Sequence, residues 1–286
     1  MSSFTRRGFF GLAAGGLVAA CGSSGSSGSG SSPGDEAAAA ALISYFPDGI
    51  YLAGRKERLP FGLADADGVP LSAGPERLEA TVKSASGEKV AALTASRRVE
   101  GLPRAYYPFE MELAQPGIYS LEAKVNGQTL EQLFTIGVPG SLSFPGAGEP
   151  LEPFDTPTTT DSRGVTPLCT RPEPCPFHEL TLTEALAAGR PVAYLVGTPA
   201  HCQTAICGPV LDLLIAAAPG FPQFTFVHAE VYADEAAKEI APAVAQLGLQ
   251  FEPLLFVVGA DGIVQRRLDV IYDRNELEMA LSAAIS

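Results

Sequence analysis

Tryptophan is absent from this sequence, and histidine occurs only three times. So few imidazoles argue against a site built on several histidines. Basic residues are also scarce. Nineteen lysines and arginines face thirty-two acids, a formal net charge of −13. An acidic surface repels phosphates, which excludes nucleic acid as an expected partner. No apolar run is long enough to read as a spanning helix: the longest candidate, near the N-terminus, is short and glycine-rich. What the chain does have is length and apolar content. It runs to 286 residues, 46% of them hydrophobic, enough for two domains with sizeable cores.

The N-terminal stretch "TRRGFFGLAAGGLVAACGSS" places Arg6 and Arg7 together, then Phe9 and Phe10, then a mild apolar segment. It resembles a twin-arginine export signal. "VAAC", ending at Cys21, resembles a bacterial lipobox, in which the cysteine is lipidated and becomes the new N-terminus. The resemblance implies a signal peptide over 1–20 and a lipidated protein held at the outer face of the cytoplasmic membrane of a bacterium. Disulfides persist there. It also implies a fold that forms before export. Residues 22–36, "GSSGSSGSGSSPGDE", read as a flexible tether, so 21–46 is taken as lipid anchor and tether. "AAAAALISYF" at 37–46 fits a short helix or a first strand equally well.

Residues 47–138 read as β. Short apolar runs alternate with turn signals. In "YSLEAKV", Tyr119, Leu121, Ala123 and Val125 share one face, and "VNGQT" is an Asn-Gly hairpin signal. Strands at this spacing suggest a β-sandwich. "FEMELAQPGIYSLEAKVNG" resembles the closing strands of an immunoglobulin-like domain. Residues 139–178 are rich in proline, glycine and threonine and read as a connector with little regular structure. Within it, Cys169 and Cys175 enclose "TRPEP". A structural disulfide is the favoured reading, because a zinc site would need more ligands than His178 nearby. His178 itself reads as a capping or surface residue.

From 179 to 286 the period changes. Thr181 and Glu184 form a capping box, "VAYLVG" is a buried strand, and "GPVLDLLIAAA" is helical. "FTFVHAEVY" is a strand, and "DEAAKEIAPAVAQLG" at 234–248 is a helix kinked or broken at Pro242. "PLLFVVG" and "GIVQRRL" form a hairpin through Asp261 and Gly262, and "NELEMALSAAIS" is a closing helix. The order α, β, α, β, α, β, β, α implies a partly parallel sheet covered on both faces.

That order resembles the thioredoxin fold. A cysteine follows its first strand and a proline opens its third. The resemblance implies that Cys202 is the attacking cysteine, Cys207 the resolving one, and Pro253 a cis-proline facing them. Four residues, "QTAI", separate the two cysteines, where the family has two. The chemistry fits: a helix N-terminus lowers a thiol's pKa, and Cys202 precedes a helical segment. A five-residue offset does not align two side chains on a regular helix, so the pair can meet only through a loop over 202–206. His201, if cationic, would add to the activation. Glu252 reads as a solvated residue before the proline, and His228 as a satisfied core or edge histidine.

The expectation is therefore multidomain: an N-terminal β-sandwich, immunoglobulin-like, and a C-terminal α/β domain, thioredoxin-like. The expected activity is thiol–disulfide exchange on the thiols or disulfides of exported proteins, without cofactor or metal. Two alternatives stand beside it. One is a non-enzymatic binding lipoprotein whose Cys202–Cys207 disulfide is structural. The other is a copper-delivery protein similar to the Sco type, with His228 as the distal ligand.

Overall fold

The computed structural model describes residues 38–46 and 50–285. The expected signal peptide, the expected lipidation site Cys21 and most of the expected tether lie outside the described residues. Among the described residues, no helix is long and apolar enough to cross a membrane.

Among the described residues the chain is β-rich and builds three sheets. The first joins β1 (Ala41–Ser44), β2 (Lys56–Ala64) and β5 (Tyr107–Glu112) in the order β1-β2-β5. The second joins β3 (Arg77–Ser84), β4 (Lys89–Ser96), β6 (Gly117–Val125) and β7 (Gln128–Ile136) in the order β4-β3-β6-β7. All pairs in both are antiparallel. The alternating residues Tyr119, Leu121, Ala123 and Val125 are buried, as the pattern predicts. Asn126 and Gly127 both take positive φ, 51° and 81°, in a two-residue turn that sets the β6–β7 register. Phe61 of the first sheet meets Phe134 of the second edge-on at 5.9 Å, with Phe46, Phe109 and Leu121 buried in the same core. Within the alanine-rich segment, residues 41–44 form strand β1, paired along β2 from Ala41↔Ala64 to Ser44↔Phe61. Residues 41–44 thus belong to the sheet rather than to the tether.

The third sheet follows α1 (Leu182–Ala187). It contains β8 (Val192–Val196), β9 (Thr225–Ala229), β10 (Leu254–Val258) and β11 (Val264–Asp269) in the order β11-β10-β8-β9. β8 and β9 are parallel; β10 runs antiparallel to both β8 and β11. Every residue of β8 and β10 is buried. On one face, Tyr194, Val196, Leu254 and Phe256 pack with Leu182 of α1 and Leu247 of α3 (Pro242–Leu247). On the other, Leu195 and Leu255 pack with Leu211 and Leu214 of α2 (Cys207–Ala217) and with Leu277 and Leu281 of α4 (Arg274–Ala283). The capping box at Thr181 and Glu184 is present. The helix expected over 234–248 is only half realised. Asp234 Oδ1 accepts the amides of Lys238 and Glu239, both at 2.8 Å, and holds that stretch in a turn. Pro242 then starts the helix, where its missing N–H is not needed.

The connector has no regular element between β7 and α1, as expected, but it is packed rather than loose. It bridges to Ile263 through Pro150 and to Asp234 through Thr166, and Phe144 and Leu151 enter the core. The β-sheets and the α/β region also share a polar seam. Arg58 of β2 pairs with Glu276 of α4, at 2.7 Å for Nη2 to Oε2, and both side chains are largely buried. Arg58 also donates to the carbonyls of Asp269 and Ile271. The Tyr106 hydroxyl donates to Glu276 at 2.5 Å and accepts the Asp273 amide at 2.8 Å. The Arg58 nitrogens, both Glu276 oxygens and the Tyr106 hydroxyl are all partnered, as a buried ion pair requires.

Candidate functional site

Cys202 and Cys207 are joined by a disulfide with Cα atoms 5.9 Å apart. The intervening residues form the loop that this spacing requires. The Ala205 amide donates to the Cys202 carbonyl at 3.0 Å, and Ala205 takes φ 56°. This turn closes the chain back on itself, so that α2 begins at Cys207. The two sulfurs differ in setting. Cys207 is buried and Cys202 is half-buried. Cys202 Sγ accepts the Cys207 backbone amide at 3.2 Å and lies 3.3 Å from the Thr204 hydroxyl. In the reduced chain both donors would favour negative charge on Cys202, and the first is a helix-start amide with no acceptor within the helix. The ring of His201 packs edge-on against Tyr232 at 5.9 Å.

Pro253 stands beside the pair, after a cis Glu252–Pro253 bond. Gly197, at the end of β8, separates them closely: a Cβ there would meet Pro253 Cβ at 3.2 Å and Cys207 Cβ at 3.7 Å. Glu252 does not point to solvent as its sequence context suggests. Its Oε2 accepts the Thr198 amide at 2.5 Å and lies 3.4 Å from Cys207 Sγ. Burial pushes its carboxyl up to about 7; the Thr198 amide pulls the other way, and the charge of Glu230 adds to the rise. A carboxyl of that pKa can take or return a proton at neutral pH. Beside Glu252 and Thr204 runs a groove of about 400 Å³, with Val231, Tyr232, Ile240 and Phe251 among its walls. Ile240 is 61% exposed there.

The disulfide expected between Cys169 and Cys175 is not formed. Both thiols are free and buried. The Cys175 amide donates to Cys169 Sγ at 3.5 Å. Cys175 Sγ lies 3.2 Å from His178 Nε2 and 3.4 Å from His228 Nδ1, and those two nitrogens are 3.3 Å apart. His178 is thus a buried partner of the thiols rather than a surface residue. His228 is satisfied in the core, as expected, through Nε2 to the Gly197 carbonyl at 2.9 Å. Its Nδ1 faces Cys175 and His178 rather than the Cys202–Cys207 pair. The Cys169 thiol is held far below its ordinary range, first by the hydrogen bond from Cys175 and then by the two imidazoles. Two features escaped sequence reasoning. The inward turn of Glu252 has no sequence signal; the Cys-x2-His spacing at 175–178 is the signal that would have flagged the cluster.

No protein-family model matches this sequence, and no curated protein matches it.

Proposed function

We propose that this chain is a thiol–disulfide exchanger of exported proteins, tethered to the outer face of a bacterial cytoplasmic membrane through lipidated Cys21. In this reading the α/β region is thioredoxin-like and the β-sheets form an immunoglobulin-like sandwich that carries it. The observation that supports the reading best is the asymmetry of the pair. Accessible Cys202 is stabilised by the amide that opens α2, and buried Cys207 lies against a carboxyl of raised pKa.

In the reduced protein, the Cys202 thiolate attacks a substrate disulfide. A mixed disulfide forms and one substrate sulfur leaves as a thiolate. The Cys207 thiol gives its proton to Glu252, and the Cys207 thiolate attacks Cys202 Sγ. The second substrate sulfur leaves, so the substrate is reduced and the chain is oxidised to its disulfide. Run backwards, the same steps oxidise a substrate dithiol. The apolar groove beside Glu252 suits an extended segment of an unfolded exported chain, and Pro253 borders its approach to the pair.

The test is exchange with a peptide mixed disulfide, followed by thiol release. The wild-type chain should accelerate release. Cys202→Ser should fall to the uncatalysed background, and Cys207→Ser should accumulate a mixed disulfide at Cys202. Equal rates for wild type and Cys202→Ser would remove the proposal.

A further inference from the structure

We propose that Cys169, Cys175, His178 and His228 form a closed, four-coordinate zinc site that fastens the connector to strand β9. Their four ligand atoms lie within 4.8 Å of one another, and all four residues are buried. Zinc binds sulfur at about 2.3 Å and imidazole nitrogen at about 2.0 Å, so a tetrahedral site has edges of roughly 3.3–3.8 Å. The 3.2, 3.4 and 3.3 Å separations among Cys175, His178 and His228 are close to such edges.

The protonation pattern points the same way. The Gly197 carbonyl can only accept, so His228 Nε2 carries the proton in its 2.9 Å bond. In the neutral ring, Nδ1 then keeps a lone pair directed at Cys175 and His178. A ligand imidazole whose far nitrogen is fixed by a carbonyl is the usual outer support of a zinc site. Two thiolates and two neutral imidazoles balance the charge of a divalent ion, so the loaded site would be neutral, as burial requires.

The frame around the ligands is also built independently of them. The His228 amide donates to the Phe177 carbonyl at 3.0 Å, which lays the Cys175–His178 segment along β9. Glu230, two residues further on, accepts the Thr170 amide at 2.6 Å and the Thr170 hydroxyl at 3.2 Å, which holds the residue after Cys169. With all four positions filled by protein, the site leaves no place for a reacting molecule. Its role is structural. The zinc would sit one hydrogen bond from Gly197, the residue wedged between Cys207 and Pro253.

The test is the metal content of the full chain, purified without chelator from zinc-supplied medium. One zinc per chain is expected, with Cys169 and Cys175 protected from alkylation until denaturant and chelator are added. His228→Gln should weaken zinc binding by at least the ~10–100-fold that losing an outer partner causes. The Cys202→Ser/Cys207→Ser double variant should keep its zinc, which separates this site from the exchange reading. Cobalt exchanged into the wild-type chain should give a thiolate charge-transfer band, a readout that needs no variant to fold. A Cys169–Cys175 disulfide in the purified chain would overturn the proposal. So would copper in place of zinc, or two reduced thiols with no bound metal.

Discussion

The two cysteine pairs have nearly the same spacing and opposite surroundings. Cys202 and Cys207, five apart, are bonded, and Cys202 is half-open beside a groove. Cys169 and Cys175, six apart, are unbonded, sealed from solvent and enclosed by two imidazoles. Spacing therefore does not set the chemistry. What sets it is the neighbours that the fold delivers. At the first pair these are a helix-start amide and a carboxyl; at the second they are imidazole nitrogens from the connector and from β9. On the proposals made above, the first environment suits a reacting thiolate and the second a bound cation.

The sharpest way to probe that contrast is Glu252. It lies 3.4 Å from Cys207, and the charges of Glu230 and His228 also bear on it. Glu252→Gln should slow resolution of the mixed disulfide by up to about 10²-fold, the lower end of what a lost proton acceptor removes. It should also flatten a rate that otherwise rises through pH 7. Stability should move the other way. Because burial raises this carboxyl to about 7 from an unfolded value of about 4.3, the fold favours its protonated form. Wild-type stability should fall as pH rises from about 4.3 to about 7, and the Gln variant should escape that loss. Urea midpoints at pH 4 and pH 8 check this: no gain for the variant at pH 4 and a clear gain at pH 8.

Selective reduction of Cys202–Cys207 comes next. The bond closes a short loop, so opening it should lower stability by about 2 kcal/mol on the chain-entropy model. Denaturant midpoints with and without mild reductant would register it, and zinc content should not change. The smallest effect concerns Arg171, in the loop after Cys169, which pairs with Asp212 of α2 at 2.7 Å. This pair is one surface tie between the two cysteine regions, beside the Ala200 amide's bond to the Thr170 hydroxyl at 3.1 Å. Since Asp212 is largely exposed, Arg171→Ala should cost under about 1 kcal/mol and leave exchange rates alone. A larger change in exchange would mean that the two pairs are coupled through α2.

Much of this was readable from the chain itself. The order of helices and strands after residue 179 follows from hydrophobic period and caps, as does the alternation of β6. The Cys202–Cys207 pairing and the place of Pro253 were implied by the resemblance to the thioredoxin fold, which rested on a cysteine after one strand and a proline opening another. The remainder depends on tertiary contacts. Strand β1 follows an alanine run that fits a helix as well, and its pairing with β2 decides its form. Glu252 turns inward because the Thr198 amide needs an acceptor. His228 lies 50 residues after His178 and reaches it only because β9 lies beside the connector's end. The Arg58–Glu276 pair spans 218 residues. Contacts over such separations leave no local pattern to read.

The most direct test of the central claim is the pH dependence of alkylation of the reduced chain, resolved by residue. Cys202 should react first, with a half-point clearly below the ~8.5 of a free thiol, while Cys207, Cys169 and Cys175 lag behind it. A Cys202 that titrates at or above ~8.5, or that reacts after Cys207, would contradict the account.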